Sequence, residues 1–358
     1  MTAKLQPGVR STTKISRRLS DTKLRDALLD LDPVEARAAL HKQVKAEHRR
    51  GNLKPTRLPF GVVAIDGKCL GKLDSWSHQD IQKVTPQKRP PYGLARVHRA
   101  HLVSSDATVC IDQRPIAGDT NEWGAVPRFT TELLDTYCRS ELFEVITADA
   151  GNSSLAHAAL IHSRNKGYVL AIKEPNGDIY QEALRQLSAR TSSESEVTKT
   201  RREKGHWVTH RLWRVSVPGY LKWAHARQLV RLERVVKKDD VQTSVGNRYF
   251  VTNLPKGRLK GVGWLTLIRM HWRCENEGHW TADVVFSEDA RRTPWIRVPK
   301  AVYALSMLRM IALNVLAVLR TMTRREWTSH LVPWKEVTIA VRIALTAMNA
   351  KEENPTFS

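Results

Sequence analysis

Two short apolar runs, each closed by an aspartate, constrain this chain most: "FGVVAID" from Phe60 to Asp66 and "FEVITADA" from Phe143 to Ala150. Runs of this length suit strands buried within a sheet rather than helices. Between and after them, "GLARVHRAHLVSS" and "TVCIDQRPI" read as strands, "VPRFTTELLDTYCRS" and "SSLAHAALIHSRN" as helices, and "GYVLAIKE" as a strand. Three strands, helix, strand, helix, strand is an order that predicts an α/β fold, a mixed sheet flanked by helices.

The regions on either side have other characters. Residues 1–58 are basic and predict two short helices, capped by Ser20 or Asp21 and by Asp32, with the break at Pro33. Residues 191–256 predict a β-rich insertion. Within it "TSSESEVTKT" reads as a polar linker, and "HWVTHRLWRVSV", "QLVRLERVV" and "NRYFVTNL" alternate as half-buried antiparallel strands do. The chain then turns helical through "GWLTLIRMHWRCENEGHWTADVVF", and residues 299–358 predict a helical C-terminal region. Ala301 to Leu319 comes nearest to a membrane span, but Arg309 and Asn314 interrupt it, so a buried helix is expected.

The formal net charge is +22, which costs self-repulsion that a polyanion relieves. Nucleic acid is the expected partner, because phosphate neutralisation releases counterions. Cys69, Cys110, Cys138 and Cys274 lack the spacing of a zinc knuckle or a disulfide framework, and no secretory signal is read at the N-terminus. A reducing compartment, the cytoplasm, is expected, and no membrane partner.

In so basic a chain, two strand-end carboxylates are informative. Ligands bind beyond strand ends in open α/β sheets. Asp66 and Asp149 each end an apolar run, although either alone reads first as a turn former or helix cap. A third carboxylate, Glu275, stands in "HWRCENEGHW", where His271, Glu275 and His279 recur at i, i+4 and i+8 on one face of an expected α-helix. Three carboxylates suit hard cations such as Mg²⁺ or Mn²⁺. Two such ions per site activate an attacking oxygen and stabilise a leaving one in phosphoryl transfer. A zinc site on the two histidines is disfavoured, because i to i+8 spans roughly 12 Å of helix.

Longer strings carry a resemblance. "VAIDGK", "TNE" (Thr120 to Glu122), "TADA" (Thr147 to Ala150), "YVLAIK" (Tyr168 to Lys173) and "RMHWRCENEGHWTADVVFSED" (Arg269 to Asp289) resemble, in order and spacing, the DDE transposases of bacterial insertion sequences, in the H-repeat-associated subgroup. The resemblance spans roughly residues 18–320. It implies a ribonuclease H-like catalytic core in two parts, 59–190 and 257–298, around the insertion. It implies cutting and joining of DNA with Asp66, Asp149 and Glu275 as catalytic and metal-binding triad. Lys173, Arg269, His271, Asn276, His279 and Asp283 fall on motif positions and are expected to support the site or contact phosphate. The implied partners are double-stranded DNA, as terminal inverted repeats and target, and a second copy of the chain, in a bacterial, nucleoid-associated setting.

In the insertion, Trp207 and Trp223 among His206, Arg211 and Arg214, together with Lys68 after the first aspartate, are candidate DNA contacts; core packing is the alternative for each tryptophan. The chain departs from the family at Cys69, where an arginine is usual, and has a shorter helical N-terminal region. A catalytically impaired or domesticated DNA-binding derivative, or a structure-specific nuclease on the same fold, is the alternative.

Overall fold

In the computed structural model, residues 20–203, 205–238, 241–288, 298–327 and 332–350 are described. The first 19 residues and the basic string "ARRTPWIR" (290–297) lie outside them. Two helices lead, α1 (Asp21–Asp30) and α2 (Pro33–Arg49). Their starts follow from capping: the Ser20 hydroxyl accepts the Lys23 N–H at 3.2 Å, and Asp32 accepts that of Val34 at 2.9 Å. Pro33 opens α2, where no backbone donor is needed.

The core strands are β1 (Val62–Leu73), β2 (Ile81–Val84), β3 (Tyr92–Leu102), β4 (Val109–Pro115), β5 (Val145–Ala148) and β6 (Gly167–Ile172). Strand β3 pairs antiparallel with β1 on one side and with β2 and β4 on the other. On its far side β1 pairs parallel with β5, and β5 parallel with β6. The parallel steps are made through helices α3 (Glu122–Thr136) and α4 (Leu155–Ser163). This is the expected mixed sheet flanked by helices, antiparallel through β4, β3 and β1 and parallel from β1 through β5 to β6. Strand β2 was not anticipated; its four residues are too few to show a period.

After α5 (Asp178–Leu187) the insertion supplies β7 (Val197–Glu203), β8 (His206–Ser216), β9 (Gln228–Lys238) and β10 (Val241–Thr252). They continue the same sheet, because β10 pairs with β6 through Tyr249 to Thr252. The second half of the expected linker "TSSESEVTKT" is strand β7. It lies at the sheet's edge, with most of its polar side chains in solvent. Charged residues there block unwanted strand addition, so the usual buried alternation is missing.

Alternate residues of each strand bury on opposite faces. Val63, Ile65, Ile146, Ala148 and Leu170 pack toward α2, α3, α4, α5 and helix α8 (Pro299–Trp327). Val62, Ala64, Val145, Val169 and Phe250 pack toward α6 (Gly261–Met270) and its fully buried Trp264. Helix α8 is long and apolar enough to cross a membrane by length and composition. Here it packs as a core helix: the buried Asn314 amide accepts the Cys110 N–H at 2.8 Å and donates to the Cys110 carbonyl at 2.7 Å. Helix α9 (Trp334–Ala350) follows.

Candidate active site

Register places the two aspartates. The last β1–β5 pair is Ile65 with Ala148, so Asp66 and Asp149 stand side by side one residue beyond it. Strand pleat sends both toward the face covered by α6. The expectation that Asp66 ends its strand needs correction. Strand β1 runs on to Leu73, held by β3 alone, and it is the parallel pairing that stops. The two strands part at Asp66, which opens the site.

Glu275 lies across that opening, on a six-residue π-helix, Cys274–His279, followed by α7 (Trp280–Phe286). The expected single α-helical face is therefore broken. The wider π turn takes Glu275 out of line with the histidines: His271 and His279 are buried and Glu275 is exposed. Such turns concentrate at functional sites. Each histidine ties the turn to the sheet. His271 Nδ1 meets Thr147 Oγ1 at 3.0 Å, two residues before Asp149. His279 Nδ1 stands 3.5 Å from Asp66 Oδ2. Burial holds His279 well below the usual histidine range and His271 down at about 4, so both are neutral and the Asp66 contact is not an ion pair. Through Nδ1 the two rings meet different partners.

The carboxylates form an electrostatic group. Asp66 Oδ1 accepts the Gly67 N–H at 2.9 Å. Burial first, then the charges of Asp149 and Glu275, push its carboxyl up to about 7. Glu275 is raised by desolvation and by Asp149, while Arg248 pulls it back. Asp149 also caps the turn at Ala150–Asn152, accepting from Asn152 N at 3.1 Å and Nδ2 at 2.8 Å; both bonds fall on Oδ1. The capping alternative is thus real, yet it occupies only one of the two oxygens.

A fourth carboxylate was not singled out. Glu122 opens α3 directly after its cap, Asn121. Its carboxyl carbon lies 2.2 Å from where a Cβ on Gly67 would stand, so the glycine beside Asp66 makes room for it. Burial and Asp149 raise its carboxyl, and Arg96 lowers it. An acid in the first helical turn is ordinary; the only signal was the "TNE" string.

Among the described residues, no three His, Cys, Asp or Glu groups converge into a ready metal cage. The donor atoms that do gather here are carboxylate oxygens, the kind hard cations such as Mg²⁺ take alongside water and substrate phosphate. Asp66, pushed up to about 7 by burial and by the charges of Asp149 and Glu275, lies in a donor set of that kind.

The remaining candidates divide. Lys68 bonds Asp283 at 2.6 and 2.7 Å, bracing β1 to α7, and neither is left open for phosphate. Lys173 is exposed just past β6, at the same end of the parallel strands as Asp66 and Asp149. Arg269 and Asn276 line a groove beside the π-helix. In the insertion, Arg211 pairs with Glu233 at 2.6 Å, and Arg214 pairs with Glu196 at 2.6 Å while stacking on Trp264. Trp223 is half-buried against the core and His206 is half-buried at the start of β8. Trp207 is exposed and offers an open ring.

No family model matches the chain. Two homologues from Escherichia coli K12 are similar to it. The "H repeat-associated putative transposase YhhI" is 27% identical over 274 residues, and the protein YbfL is 24% identical over 270; each match covers 71% of this chain. The chain spans 64% of the length of both relatives. A solved piggyBac transposase synaptic complex with hairpin DNA is 14% identical, with a TM-score of 0.45, over all of this chain and 73% of that one.

Proposed function

We propose that this chain is a DNA transposase that cuts and joins element ends by phosphoryl transfer at Asp66, Asp149 and Glu275, with two Mg²⁺ or Mn²⁺ ions per site. One observation carries the reading. Asp66 and Asp149 stand side by side where β1 and β5 part, on the face to which the Glu275 turn is fastened through His271 and His279. The printed name of one relative, "H repeat-associated putative transposase YhhI", is in keeping with it.

When bound, the ions would activate the attacking water or 3′-hydroxyl and stabilise the leaving oxygen. The chain's own residues do the rest. Asp66 presents oxygens from within β1, and Asp149 from the turn directly after β5. Glu275 presents a third from across the gap, and Glu122 a fourth from the start of α3. The Thr147–His271 contact and the Lys68–Asp283 pair hold the turn and α7 in place, fixing the distance between the two halves of the donor set. A P–O bond forms to the attacking oxygen and the P–O3′ bond to the departing strand breaks.

The test uses the full chain and duplexes carrying the DNA that flanks its gene on either side. With Mg²⁺ or Mn²⁺ the reading expects nicks at the repeat ends and joining of a supplied 3′-hydroxyl end, with a dimer bridging two ends. Asp149→Asn should abolish both and keep binding. Binding without cleavage in the unmutated protein overturns the reading in favour of a non-catalytic derivative. Cutting without joining favours a nuclease.

A further inference from the structure

The face that carries Glu275 also carries a groove of about 870 Å³, between the insertion strands and α6. Seven lysine or arginine side chains and two carboxylates line it. Its cations outnumber their partners. Glu203 alone faces Arg201, Arg269 at 3.6 Å and Arg234 at 3.9 Å. Lys199, on the edge strand, has no carboxylate partner among the described residues. The crowding is felt by neighbours: burial and then Arg201 lower Arg269, and burial and then Arg269 push His210 down to about 4. Such a field is relieved by an anion.

The groove leads to the acids. Asn276 and Glu277, which follow Glu275 in the chain, line it together with Trp272. Arg248 stacks over the Trp272 ring at 4.3 Å, and its charge reaches Glu275. Leu232, Val262 and Leu265 give it apolar wall. A cationic concavity with an aromatic–arginine platform is the chemistry that holds unpaired nucleic acid, phosphates on the cations and bases on the rings. A duplex carries its phosphates on a convex outside and lies on a surface; a cavity of this size matches a small ligand or a few nucleotides.

We propose that this groove binds a short unpaired stretch of one DNA strand and leads it to the Glu275 end of the site. The substrate this implies is an end whose strands are locally separated next to the cut. The proposal rests on the reading of the chain as a DNA-cutting enzyme for that placement; the binding itself is measured without cleavage.

The experiment is fluorescence anisotropy of the full chain in EDTA, with labelled oligo-dT and a duplex of equal length as probes and each competing against the other. The variant Lys199→Ala/Arg234→Ala removes two exposed cations outside the acidic site. Circular dichroism and thermal unfolding check that it folds. The expected result is about tenfold weaker binding of the single strand. Its salt slope should fall by about 1.4, at roughly 0.7 per lost phosphate contact. Duplex binding should change less than twofold. Single-strand affinity unchanged in the variant, or duplex competing as well as single strand for the unmutated protein, overturns the proposal. Those outcomes leave metal-dependent cleavage untouched. Conversely, single-strand binding by a chain that cuts nothing keeps the groove and removes the enzyme.

Discussion

Replacing Asp66 by asparagine should stabilise the metal-free protein, increasingly as pH rises from about 4 to about 7 and in full above that. Asp66 sits among like charges with its side chain 16% exposed, and its carboxyl is raised from 3.8 to about 7. At about 1.36 kcal/mol per unit, a shift of about three units corresponds to about 4 kcal/mol. The sign follows from proton binding. Below pH 4 folded and unfolded chains are both protonated at this position and no penalty exists. From there to about pH 7 the folded protein keeps a proton that the unfolded chain has released, so stability falls as pH rises. Above pH 7 the full penalty is present. Asparagine never ionises and still offers an oxygen to the Gly67 N–H, so Asp66→Asn should be more stable than the parent by about 2–4 kcal/mol at pH 8, with the gap closing as pH falls toward 4. Urea unfolding in EDTA across that pH range measures it. Adding Mg²⁺ should raise the stability of the parent and leave the variant nearly unchanged, since an ion that binds only the folded state stabilises by mass action. A gap independent of pH, or a variant less stable than the parent at pH 8, would refute the claim that the acids are held together against their own repulsion.

Three further substitutions probe the supports. Thr147→Val removes the partner of the buried His271 Nδ1; it should lower stability by about 1–3 kcal/mol in urea unfolding and reduce cleavage, because the Glu275 turn loses its tie to β5. Arg99→Met strands the Glu288 carboxylate, both side chains being 0% exposed and bonded at 2.6 and 2.8 Å; about 3–5 kcal/mol should be lost, and the double variant Arg99→Met/Glu288→Leu should recover most of it by the same measurement. Gly67→Ala puts a methyl group where the Glu122 carboxyl lies, so the protein should fold with that side chain displaced and bind Mn²⁺ more weakly in calorimetry; unchanged affinity removes Glu122 from the site.

The sequence was legible where local physics acts alone. The Ser20 and Asp32 caps, and the buried strands ahead of Asp66 and Asp149, follow from single side chains and short apolar runs. It was less legible where the partner is distant. Both faces of β1 are covered, so no alternation announces that Asp66 points toward α6 rather than α2; that is decided by Val62 and Ala64 packing with Trp264 while Val63 and Ile65 pack on the other side. Strand β7 looks like a linker because an edge strand buries little. The π turn at Glu275 was hidden for a different reason. Spacing at i, i+4 and i+8 presumes α-helical geometry, whereas the structure has a π turn there, flanked by the His271–Thr147 and His279–Asp66 contacts that join residues distant in sequence. Glu122 was passed over because an acid after an N-cap is common, and its closeness to Gly67 appears only once α3 is packed. Of the basic and aromatic residues singled out in the insertion, Arg211 and Arg214 are paired with carboxylates, while the groove draws on Lys199, Arg201, Arg234 and Arg248, whose convergence depends on sheet register.

The central claim is that Asp66, Asp149 and Glu275 together hold the divalent ions of a DNA-cutting site. Anomalous scattering from crystals of the full chain soaked in Mn²⁺ tests it most directly. The account predicts a manganese peak between the Asp66 and Asp149 carboxylates with the Glu275 carboxylate turned toward it, lost in Asp149→Asn. Manganese absent from that gap at saturating concentration, or bound elsewhere and unaffected by Asp149→Asn, would contradict it.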